Sequence, residues 1–155
     1  MQTILPTILL FLHNVFTATW IGGLLLMVLV ILPGLKKNPN IKEPKVAVRS
    51  VQKRLSVVAI ISMVGLAATG MLMSRLLAGN RGLFNFTTPY TVTLSIKHIM
   101  MLMMVALAVV RLSLNKKNEK QNSQKIERIS AMVLMLNAIV GLVVLFLSSY
   151  LSVVL

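Results

Sequence analysis

The sequence predicts an all-α integral membrane protein: a bundle of four transmembrane helices with its N- and C-termini extracytoplasmic. Three observations carry that prediction. The chain is 57% hydrophobic and 12% charged, with a mean hydropathy of +0.87; a soluble domain carries about 25% charged residues. Four uninterrupted apolar runs each reach the ~20 residues that a helix needs to cross a ~30 Å hydrocarbon layer. The basic residues, finally, are gathered into blocks between those runs.

The runs cover about 4–35, 55–78, 91–114 and 129–155. Continuous apolarity rather than alternation makes each a helix, because backbone groups in lipid must be satisfied within the segment. The first run lacks a basic leader and a small-residue cleavage site, so it is expected as a retained span and not a signal peptide. No repeat or low-complexity tract divides the chain, and residues 1–155 are expected to form a single membrane domain.

The connections set orientation. Segment 36–54 carries Lys36, Lys37, Lys42, Lys45, Arg49, Lys53 and Arg54 against Glu43. Segment 111–128 carries Arg111, Lys116, Lys117, Lys120, Lys125 and Arg128 against Glu119 and Glu127. Segment 79–90 has Arg81 alone. The positive-inside rule puts loops 36–54 and 111–128 in the cytoplasm and makes the protein a multi-pass component of the cell (cytoplasmic) membrane. Pro39 and Pro44 are expected to break the first loop, and Pro89 to start the third helix. A net charge of +13 in a soluble chain would suggest nucleic acid. Here the bases flank spans and few aromatic residues accompany them, so the bilayer is the expected partner and nucleic acid is not.

The two histidines are the unusual residues. There is no cysteine, which removes disulfides, thiolate ligands and cysteine nucleophiles. His13 and His98 both lie in spans that run inward, so helical rise puts both roughly 10–14 Å below the outer edge of the hydrocarbon. Polar groups at that depth are expensive and mark functional sites by default. His13 shares a stripe with Leu9, Thr17 and Trp20; His98 shares one with Thr91, Leu94, Met101 and Val105. Met71 and Met73, on the outward second span, come near the same level. Imidazole with thioether suits copper, and two imidazoles or a His/Met pair suit haem iron. His13, His98, Met71 and Met101 are therefore the candidate metal ligands. Lys97 stands about 100° around the helix from His98; it either snorkels outward or faces an anionic ligand. Arg75 and Arg81 are placed to meet carboxylates such as haem propionates above the histidines, while Phe84, Phe86 and Tyr90 read as an aromatic belt. Ala18-x-x-x-Gly22, Thr19-x-x-x-Gly23, and Gly65 with Thr69 are expected to permit close helix approach. Asn137, deeper in the fourth span, is expected to make an interhelical hydrogen bond. No residue pattern indicates a catalytic group.

Several stretches resemble a known family. "LHNVFTATWIGGLLLMVLVILPGL" (12–35) is similar to the first helix of CopD-type copper-resistance membrane proteins, with a His, a Trp seven residues later and a Gly-Gly. "KRLSVVAIISMVGLAATG" (53–70) and "YTVTLSIKHIMMLMMVALAVVR" (90–111) continue the similarity, which covers about the first 110 residues. It implies a helical membrane protein that binds or transports copper, and it matches His13, Trp20, Gly22, Gly23, Thr69, Gly70 and Lys97. The chain also resembles the HemJ-type protoporphyrinogen oxidases, which bind haem b, in its His-to-Trp spacing, its Lys-Arg-Leu at 53–55 and Lys97. It departs from them where "VILPGL" replaces a segment bearing Arg and His. The leading expectation is thus copper at an outer site of His13 and His98, with Trp20, Lys97 and Arg75 around it and no reaction catalysed. The alternative is a b-type haem protein, acting in electron transfer or as a haem-dependent membrane oxidoreductase. A homo-oligomer or an accessory role in a larger membrane complex fits the same features.

Overall fold

The computed structural model describes residues 4–37, 44–77 and 89–154, and all of these are helical except Asn122 and Ser123. The helices are α1 (Ile4–Leu26), continued by a π-helical segment (Met27–Ile31) into α2 (Leu32–Lys37), then α3 (Pro44–Leu77), α4 (Pro89–Gln121) and α5 (Gln124–Val154). Four stretches are long and apolar enough to cross a membrane: Ile4–Gly34, Val46–Leu76, Thr91–Gln121 and Gln124–Tyr150. Arg81, Phe84 and Phe86, along with Pro39, Lys42 and Glu43, lie outside the described residues.

The helices outrun the apolar segments. Residues 44–54, expected in a basic loop, form the first turns of α3. Most of 111–128 is helix as well, leaving Asn122–Ser123 as the turn between α4 and α5. Hydropathy marks only the lipid-depth part of a helix, whereas Lys, Arg, Gln and Glu are good helix formers that carry it into the headgroup layer. Pro44 therefore opens α3 rather than breaking a loop, and Pro89 opens α4 as expected; each sits where a missing N–H costs nothing.

The exterior is what a bilayer requires. Phe146 is 71% exposed, Leu29 67% and Val64 65%, and such apolar surface suits a lipid environment.

The chain divides into two compact units, residues 1–81 and 82–155. In the first, α1 packs against α3. The buried residues of α1 (Leu9, Trp20, Ile21 and Leu24) continue to Met27 and meet a buried line of Ser62, Leu66 and Thr69 on α3. The helices come close at Gly65, where an added Cβ would collide with the Phe16 ring. The expected small-residue contacts of α1 are not this site: among the described residues a Cβ added at Gly22 would meet nothing within 4 Å, and one at Gly23 would meet Leu55 Cδ2 at 3.9 Å. Pro33 has no N–H to give the turn before it. The chain widens there, and the Leu32 N–H donates to the Met27 carbonyl five residues back.

In the second unit α4 and α5 form an antiparallel hairpin. Asn122 makes the turn at φ 44°, a left-handed conformation that asparagine tolerates, and its N–H donates to Asn118 O at 2.9 Å. Along α5 the buried residues Ser130, Leu134, Asn137, Gly141 and Val144 repeat at four and three, the seam of a left-handed helix pair. Ser130 Oγ donates to Asn115 Oδ1 at 2.7 Å and fixes the register. Counting back at equal rise puts Met104 level with Gly141, and Met104 is 1% exposed. The Asn137 side chain is likewise 1% exposed, but its Oδ1 has no hydrogen-bond partner among the described residues. It does not accept the interhelical hydrogen bond expected of it.

Candidate functional site

In the first unit the site begins with His13. Its helical stripe turns it toward α3, where the Nδ1 atom lies 2.9 Å from Thr69 Oγ1. Thr69 has one hydroxyl proton and donates it to the Gly65 carbonyl at 2.7 Å, with the Leu66 carbonyl at 3.3 Å. The proton in the His13–Thr69 contact must then belong to the imidazole: Nδ1–H donates to Thr69 Oγ1. A neutral ring held this way is basic at Nε2. Beside it, a Cβ on Gly70 would stand 3.8 Å from His13 Cε1, an ordinary contact, so the ring edge lies along Thr69–Gly70. Thr17 Oγ1 donates to the His13 carbonyl at 2.8 Å.

Trp20 sits two turns along α1 on the same face, 3% exposed, with an indole N–H that has no partner among the described residues. Arg75 closes α3 and is exposed. Met71 is 60% exposed and stands about 200° around α3 from Thr69. Met73 is half-buried and about 40° from Thr69, one turn further along. Of the two methionines, Met73 is the one that shares the line facing His13.

In the second unit His98 is half-buried on α4, with Nδ1 2.7 Å from the Leu94 carbonyl. A carbonyl only accepts, so Nδ1 carries the proton and Nε2 is again the basic nitrogen. Lys97 and Met101 are half-buried. Lys97 lies within about 40° of Met101, Met104, Ala108 and Arg111 on one line of α4, the line that carries the seam with α5. Arg111 buries its Nε and Nη2 without a partner among the described residues.

The described residues contain no group of three or more His, Cys, Asp or Glu placed to hold a metal ion. The chain has two histidines, three acids, no cysteine and eleven methionines, so its soft donors are imidazole and thioether.

A family model described as Copper resistance protein D, CopD, matches residues 49–151. The chain belongs to the CopD family. It is a copper-resistance-related membrane protein by that membership. The match begins in α3, includes all of α4 and reaches nearly the end of α5. It thus takes in the fourth span, beyond the 110 residues that the motifs cover, and starts after α1. Thr69, Gly70, Arg75, Lys97, His98 and Met101 fall inside the matched CopD segment, while His13 and Trp20 precede it. No curated protein and no solved structure matches the chain.

Sequence reasoning had Thr69 as a packing residue. Its role as the partner of His13 was readable in one respect. By helical rise it stands about as far from the end of the second span as His13 stands from the start of the first. Phe16 as the residue opposite Gly65 had no signal, since apolar neighbours of a helix glycine are chosen by crossing angle alone.

Proposed function

We propose that this protein binds Cu(I) near the outer face of the cytoplasmic membrane, with the imidazole of His13 in the first unit and that of His98 in the second as candidate ligands. The supporting observation is the shared tautomer. Each ring is tied down through Nδ1, to Thr69 or to the Leu94 carbonyl, and each is basic at Nε2, the arrangement that ligating histidines adopt. Thioether from Met71 or Met73 on α3, or from Met101 on α4, adds a soft, uncharged donor that favours Cu(I) over harder cations. Positive-inside orientation puts both termini and this site on the extracytoplasmic side, with the basic segments inside. Copper is cargo here, and binding it needs no electron transfer.

The test is metal analysis of detergent-purified full-length protein loaded under reducing conditions. Stoichiometric copper is expected, reduced in His13→Ala and in His98→Ala and below a tenth of the wild-type level when both are replaced. A colourless protein agrees with the proposal; a Soret band that disappears in His13→Ala would replace it with haem ligation. Unchanged copper in both variants refutes the assignment of ligands.

A further inference from the structure

We infer that Thr69 is the positioning residue of His13: its hydroxyl, committed as a donor to the Gly65 carbonyl, holds the imidazole with the proton on Nδ1 and the lone pair on Nε2. The geometry is a relay of two hydrogen bonds on one helix face, Nδ1–H to Oγ1 at 2.9 Å and Oγ1–H to the carbonyl at 2.7 Å. Thr69 is 5% exposed, so water does not compete for the oxygen. The direction of the relay follows from counting protons. A backbone carbonyl has none, the threonine has one, and a threonine that gives it to Gly65 can only accept from the ring. His98 reaches the same tautomer by a different route, using its own helix's carbonyl at Leu94. The difference matters: the His98 tie is local to α4, while the His13 tie exists only when α1 is docked on α3. The state of His13 therefore reports the docking of the first unit.

That the oriented Nε2 serves copper rests on the functional reading above; the tautomer itself does not. The experiment separates the two. Full-length protein labelled with 15N in the histidine rings is reconstituted in lipid without metal, and His98→Gln assigns the remaining resonances to His13. Wild type should show the His13 proton on Nδ1. Thr69→Val keeps the shape and removes the hydroxyl, and should move the majority of the population to Nε2–H. Thr69→Ser should restore Nδ1–H, which a merely structural role would not predict. Cu(I) affinity, measured by chelator competition in the otherwise wild-type chain, should weaken 10- to 100-fold in Thr69→Val and recover in Thr69→Ser. An Nδ1–H tautomer that persists in Thr69→Val, or a wild-type His13 protonated on Nε2, overturns the inference whatever copper does. The expected tautomer change in a protein that binds no copper upholds the positioning role and overturns the proposed function instead.

Discussion

Gly65→Ala should separate α1 from α3 and uncouple His13 from Thr69. A Cβ at this position would lie 2.5 Å from Phe16 Cζ and 2.6 Å from Cδ2, whereas carbon atoms rest at about 3.5–4.0 Å. The ring, or the helix that carries it, has to retreat by about 1 Å. Phe16 is three residues from His13 and Gly65 four from Thr69, so the wedge acts one turn from the 2.9 Å hydrogen bond. Carried through rigidly, the same displacement takes that contact past the limit at which a hydrogen bond survives. Overpacking costs about 1–3 kcal/mol and the lost hydrogen bond about 0.5–1.5 kcal/mol. The better helix propensity of alanine returns about 1 kcal/mol, leaving a net loss near ~2 kcal/mol. Reversible unfolding in mixed micelles of mild detergent and SDS measures it, and the 15N signature of His13 reports the hydrogen bond. Phe16→Leu in the same chain should recover most of the loss by clearing the ring. Gly65→Ala with wild-type stability and an unchanged Nδ1–H tautomer would refute the reasoning, since the ring would then have moved without moving α1.

Two further substitutions probe the helix pairs. Ser130→Ala removes the donor to Asn115 Oδ1 and should lower stability by about 1 kcal/mol in the same micelle titration, with copper stoichiometry intact because the contact lies at the other end of the hairpin from His98. Trp20→Phe keeps an aromatic ring in a site that is 3% exposed and removes an indole N–H that has no partner among the described residues. Stability should hold or rise by about 1 kcal/mol; a tenfold loss of Cu(I) affinity would instead show that the indole faces the ligand.

The polar residues divide by how local their partners are. The partner of His98, the Leu94 carbonyl, is four residues away on its own helix, a spacing that any α-helix supplies. His13 was interpretable only as an anomaly, because its partner is 56 residues away and nothing in either segment names the other. Asn137 shows the same limit from the opposite side. A buried asparagine in a span predicts an interhelical hydrogen bond, yet its Oδ1 faces a seam whose nearest level on α4 is Ala108, which has no side-chain donor. Met71 and Met73 are equivalent by depth, and they differ in their rotation about α3 relative to Thr69.

Composition and periodicity determined the class of protein, the four spans and their helical nature, because a bilayer leaves a chain few ways to satisfy its backbone. They also singled out the two histidines, since polar groups are rare and costly in apolar runs. The extent of each helix beyond the lipid, the docking of Phe16 on Gly65 and the tie between His13 and Thr69 were decided only by tertiary structure. Those depend on the rotation and crossing of paired helices, which van der Waals contact fixes to within an ångström and which no single segment encodes.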